Sequence, residues 1–145
     1  APARPAGPEP EYSCPSVEIQ EGAAAYRAGG GEVAWQAALQ NIARECVYQG
    51  SQFVLRVGVE GRVLIGPAGR GGAHAAPLRI TVLRGDKVVA SRLARVGGTL
   101  SLAQPSVAFM HVEEGIALPM TADPGDDYSV LVGFDSGGAG RAGRR

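Results

Sequence analysis

In 145 residues the chain carries only two cysteines, two histidines, two methionines and one tryptophan. Two thiols cannot fill the four ligand positions of a structural zinc site, and Cys14 and Cys46 do not form the Cys-x-x-Cys of a redox centre. No apolar run approaches the roughly 20 residues that a helix needs to cross a bilayer. No leader peptide is visible, so export would make this a mature or trimmed chain. Charge of either sign is not in excess, since fourteen basic side chains balance fourteen acidic ones. Without a net field, neither nucleic acid nor an anionic membrane surface is an expected partner. Aromatic residues are 6% of the chain, and Tyr12, Tyr26, Trp35 and Tyr48 do not alternate with basic residues as a base-stacking platform would. They read as core or rim residues.

Glycine is abundant, at 22 residues, and with ten prolines it cuts the chain into short pieces that suit strands and turns. The length fits one domain with one core. Residues 1–13 read as a stalk or linker: APARPAGPEP holds four prolines and no large apolar group. Extended polyproline-II conformations are expected there, reaching about 40 Å at ~3.1 Å per residue. Residues 136–145, rich in glycine and arginine, are expected to be a disordered basic tail. The folded domain is placed at 14–135.

Within that span, Val17 and Ile19 alternate with polar neighbours as a short first strand, and GAAAYRAGGGE reads as a glycine-rich connection. Phe53, Leu55, Val57, Val59, Val63 and Ile65 keep one parity, so a single long strand continues past Gly61. Leu78, Ile80 and Val82 repeat the pattern, and Arg84-Gly85-Asp86-Lys87 turns into a partner strand. Val107 and Phe109, then Ile116 and Leu118, and finally Tyr128, Val130, Val132 and Phe134 complete the set. The segment from Val33 to Val47 fits both periods, because Trp35, Leu39, Ile42 and Cys46 have helical spacing while Val33, Trp35, Ala37 and Leu39 alternate. A strand with a bulge near Gln40-Asn41 is preferred, since every neighbour is a strand and a sheet needs the partner. The expected fold is all-β, an antiparallel immunoglobulin-like β-sandwich of about seven strands.

Chemistry is sparse. Glu-Tyr-Ser before Cys14 is a poor lipobox, which argues against a lipid on that sulfur. A Cys14–Cys46 disulfide or two buried or free thiols remain, and the disulfide is the expectation. Its loop of about thirty residues would stabilise the domain by roughly 3 to 4 kcal/mol. The stretch GPAGRGGAHAAP lacks the Gly-Lys-Ser/Thr ending of a phosphate cradle and leads into a strand. Gly66, Pro67, Ala68, Gly69, Arg70, Gly71 and Gly72 read instead as a flexible inter-strand loop and as the best local candidate for a protein contact. His74 is read as part of that loop. His111 and Glu113 share a strand face, too few for a metal site. Asp123, Asp126 and Asp127 cluster in a turn that lacks the ligand spacing of an EF-hand. No serine lies in Gly-x-Ser-x-Gly. No catalytic residue, cofactor or metal ligand is therefore assigned. The competing readings are a metal-dependent hydrolase using His111, Glu113 and the three aspartates, and a carbohydrate-binding module, for which one tryptophan is meagre.

Several stretches together, CPSVEI, RECVYQG, VGVEGRVLIGPAG, PLRITV and DDYSVLVGF, resemble uncharacterised alphaproteobacterial envelope lipoproteins. Members begin their domain with Cys-Pro and end it with a Tyr-x-Val-Leu-Val-Gly-Phe strand, and the likeness covers about 14–134. The resemblance implies a lipid on a separate upstream cysteine and supplies no catalytic residues. The chain departs from it in ending on glycine and arginine. The resulting expectation is a non-enzymatic, periplasm-facing accessory or interaction module. It would be held to a membrane only through an anchor upstream of residue 1 and would bind another envelope protein or complex.

Overall fold

The computed structural model describes residues 13–29 and 31–135. The expectations for 1–12 and 136–145 lie outside the described residues. The architecture is all-β, two four-stranded sheets packed as a sandwich. The strands are β1 (Ser16–Ile19), β2 (Ala25–Ala28), β3 (Trp35–Gln49), β4 (Gln52–Ile65), β5 (Gly72–Arg84), β6 (Lys87–Leu100), β7 (Ser106–Pro119) and β8 (Tyr128–Phe134). One sheet runs β1-β8-β5-β6 and the other β2-β3-β4-β7. Eight strands are thus present among the described residues, one more than expected, because the glycine-rich connection contains β2. Ala25–Ala28 carries little apolar signal of its own and becomes a strand by pairing with Trp35–Ala38 of β3. The pairing is also not wholly antiparallel, since β1 runs parallel to β8.

The core is the set of inward parities. From β4 it takes Phe53, Leu55, Val57, Val59 and Val63, from β5 Ala76, Leu78, Ile80 and Val82, and from β8 Tyr128, Val130, Val132 and Phe134. Burying each Val, Leu, Ile or Phe side chain is worth about 1.5 to 3 kcal/mol, so this alternation fixes which face of each strand turns inward. β4 is regular, and its neighbours absorb the irregularities. β3 is the strand preferred from sequence, with its register shift between Leu39 and Asn41. The bulge at Gln40 moves the inward parity from Ala37 and Leu39 to Ile42, Cys46 and Tyr48, which explains why the segment imitates a helix. β7, read from sequence as two apolar pieces, is one strand. Its register against β4 slips between Leu55 and Val57, where Gly115 takes φ 78°. That bulge carries the inward set from Phe109 to Ile116 and Leu118.

Two tight turns, Gly50-Ser51 and Gly85-Asp86, join β3 to β4 and β5 to β6, each with glycine at positive φ, 68° and 63°. Positive φ at the first turn position matches the right-handed strand twist. Pro77 ends the pairing of β8: its carbonyl accepts from Asp135 N at 2.9 Å, but it has no N–H to donate on that side. The aspartate turn forms a single helical turn, α1 (Pro124–Asp127), capped by Asp123.

The strand directions sort the loops. Ser13, the two tight turns and the 119–128 segment lie at one end of the sandwich, and the 29–34, 66–71 and 101–105 loops lie at the other.

Candidate functional site

The first described residues are held more firmly than a tail needs. Cys14 is disulfide-bonded to Cys46, with Cα atoms 5.9 Å apart. Cys14 lies two residues before β1 of one sheet and Cys46 lies in β3 of the other, so the bond ties the sheets together. Around it, Tyr48 Oη donates to Ser13 O at 3.0 Å, and Arg44 donates through Nε to Pro15 O at 2.8 Å and through Nη2 to Cys14 O at 3.4 Å. Arg44 falls on the inward parity of β3 after its bulge, at the sandwich margin, which aims its guanidinium at this segment. Burial raises the Tyr48 phenol pKa above its ordinary value, and the Arg44 charge pulls it partly back. Ser13 Oγ donates to Asp123 Oδ1 at 2.7 Å and accepts from Gly125 N at 3.0 Å. Ser13, assigned to the stalk from sequence, is therefore part of the fold. The Asp123 carboxylate spends its contacts on this joint and on Asp126 N, at 3.3 Å, which is cap chemistry.

At the far end, Tyr26, Trp35 and His74 close the space between the sheets. Trp35 and His74 stack with centroids 5.1 Å apart, and Tyr26 lies 5.5 Å from Trp35 and 6.1 Å from Phe134. His74 belongs to β5 and not to the loop, a difference forced by its pairing with Gly98. The loop itself is less free than its glycines suggest. Gly66 N donates to Ala34 O at 2.8 Å and Ala68 N to Val33 O at 3.1 Å, and a Cβ on Gly66 or Gly69 would run into the carbonyls of Val33 or Ala34. Glycine serves close backbone approach here, not mobility. Gly72 opens β5, and Pro67, Ala68, Arg70 and Gly71 are left exposed beside Leu102 of the adjoining loop, which is 83% exposed.

His111 and Glu113 do share an inward face, with Nε2 and Oε1 2.8 Å apart. The second carboxylate oxygen of Glu113 accepts from Arg92 Nη1 of β6 at 3.2 Å, and Arg92 Nη2 donates to Gly115 O at 3.4 Å. The cluster closes the open side of the sandwich between β6 and β7. Its third member is a cation, and Asp123, Asp126 and Asp127 belong to the joint at one end, so the hydrolase set is not brought together. Among the described residues no group of three or more His, Cys, Asp or Glu side chains is arranged to hold a metal. Sequence reasoning missed Arg44, Arg92 and Ser13, whose roles rest on partners about 20 to 110 residues away.

The site elements define a disulfide-pinned β-sandwich with a fixed joint at one end and a loop cluster at the other. Compared with protein-family models, curated proteins and solved structures, the chain matches none.

Proposed function

We propose that this chain is a non-enzymatic, envelope-associated interaction module, held to a membrane through its N-terminal stalk and contacting another envelope protein or complex through the loop at Gly66 to Gly72. One observation carries the reading: the joint at Ser13 to Pro15 and the Pro67, Ala68, Arg70, Gly71 and Leu102 surface lie at opposite ends of the sandwich. A tether at one end leaves the other directed outward. The disulfide fits an oxidising, extracytoplasmic compartment. The immunoglobulin-like assignment belongs to the same proposal, supported by the inter-sheet disulfide and the two-sheet packing. So does the likeness to alphaproteobacterial envelope lipoproteins with an upstream lipid-bearing cysteine.

The test uses the full-length protein in its native cells, with a photo-crosslinking residue at Arg70 or, as control, at Asp86 in the turn at the opposite end. Adducts to an envelope protein at position 70 and not at 86 are expected. A free monomer with no adduct at 70, or adducts equal at both ends, overturns the proposal.

A further inference from the structure

We infer that the Cys14–Cys46 disulfide is a reducible latch: when a dithiol reduces it, residues 13–23 leave the edge of the sandwich while the two sheets stay packed. The inference concerns the joint and is independent of the proposed loop contact. Residues 16–23 cover the second edge of β8. Ser16 to Ile19 pair with Ser129 to Val132, Gln20 N donates to Val132 O at 2.8 Å, and Phe134 N donates to Ala23 O at 2.9 Å. This cover has little grip of its own. Of residues 13–23 only Pro15 is buried, and Val17 and Ile19 of β1 are half-buried. β1 also runs parallel to β8, the weaker of the two ladder types. At the joint, Arg44 Nε to Pro15 O is a part-buried hydrogen bond. The bonds made by Tyr48 Oη, Arg44 Nη2, Ser13 Oγ and Gly125 N are exposed, so each gains little over the water contacts it replaces.

What holds the cover is that both of its ends are fastened to β3. At one end Leu39 N donates to Ala24 O at 2.9 Å and β2 follows, paired with Trp35–Ala38; at the other Cys14 is bonded to Cys46. Reduction turns a strap fixed at both ends into a free end, and keeping it ordered then costs the conformational entropy of the whole segment. Neither cysteine is buried, so a dithiol reaches the bond. Its thiolate attacks one sulfur and its second thiol resolves the mixed disulfide, leaving two cysteine thiols and an oxidised dithiol. Opening stops at Ala24, because β2 keeps its pairing with β3. The core also stays closed, since β8 remains paired with β5 from Tyr128 to Phe134. In a chain tethered as proposed above, residues 13–23 then join the stalk and lengthen it by about 35 Å at ~3.3 Å per residue.

Strand geometry separates this local opening from a general weakening. Backbone N–H groups alternate sides along a strand, and Phe134 N donates to Ala23 O on one side of β8 while Asp135 N donates to Pro77 O on the other. The amides of Val130, Val132 and Phe134 therefore face the cover, and those of Leu131 and Gly133 face β5. Amide hydrogen exchange of the purified full chain, followed by NMR with and without dithiothreitol, reads both sets. Reduction should accelerate Val130, Val132 and Phe134 by about tenfold or more beyond any acceleration of Leu131 and Gly133. The double variant Cys14→Ser, Cys46→Ser should show the reduced pattern and ignore the reductant. A smaller difference between the two sets overturns the inference, because the disulfide then only stabilises the whole fold. Loss of the sheet circular dichroism in the reduced chain overturns it equally, as does a folded double variant that keeps the oxidised pattern. Crosslinking at Arg70 is unaffected by these outcomes, so the two proposals fail separately.

Discussion

At the scale of single residues, two glycines three positions apart in β4 have opposite reasons to exist. Gly61 faces inward, where a Cβ would collide with Ala38 O and come within 2.5 Å of the Phe109 ring. Gly58 faces outward over open space. Gly61→Ala should therefore cost about 1 to 3 kcal/mol through overpacking. Gly58→Ala should be neutral or stabilising by about 0.5 to 1 kcal/mol, because alanine has less freedom to lose. Urea unfolding of the two variants at low protein concentration separates them, and equal losses would refute the assignment of faces. Neither role is readable in the sequence, where both glycines merely interrupt an alternating run. The inward parity of β4 was readable, because five buried apolar residues repeat at period two.

At the scale of elements, the two bulges reconcile conflicting parities with one sheet. Gln40 is the extra residue of β3, and removing it leaves Leu39 inward, Asn41 outward and Ile42 inward, an unbroken alternation against Gly61, Glu60 and Val59. Deleting Gln40 should thus preserve the fold at a cost within about 1 kcal/mol, since only the local bend is lost. Deleting Arg56 from the regular strand β4 should abolish it, because one side of the strand would then turn Phe53 and Leu55 outward. Circular dichroism and thermal melting of the two deletions check this, and a folded Arg56 deletion would contradict it. The bulge in β3 was legible because an all-strand context left the segment no other partner. The one in β7 showed in the sequence only as an unexplained change of parity between Phe109 and Ile116. β2 was illegible, since Ala-Tyr-Arg-Ala acquires strand structure from the β3 edge and from no pattern of its own.

At the scale of the whole molecule, the sheets are joined by the core, by the Arg92–Glu113–His111 cluster and by one covalent bond. The disulfide spans a sequence separation of 32 residues, for which chain entropy predicts about 3 to 4 kcal/mol. Cys46→Ser, or reduction of the native protein, should lower the unfolding free energy by that amount in urea titrations, and a midpoint unmoved by reductant would refute it. Sequence alone determined the β class, the inward parities of β4, β5 and β8 and the disulfide partners, because each depends on local period or on there being only two cysteines; it favoured the bulged strand over Val33 to Val47 without fixing it, because that segment fits both periods. Tertiary structure alone decided that β1 lies parallel to β8, that β2 is a strand, and that Arg44, Tyr48 and Asp123 converge on Ser13 to Pro15. It also decided which loops share an end. Those outcomes depend on groups far apart in the chain meeting across two sheets, and such meetings leave no period in the sequence.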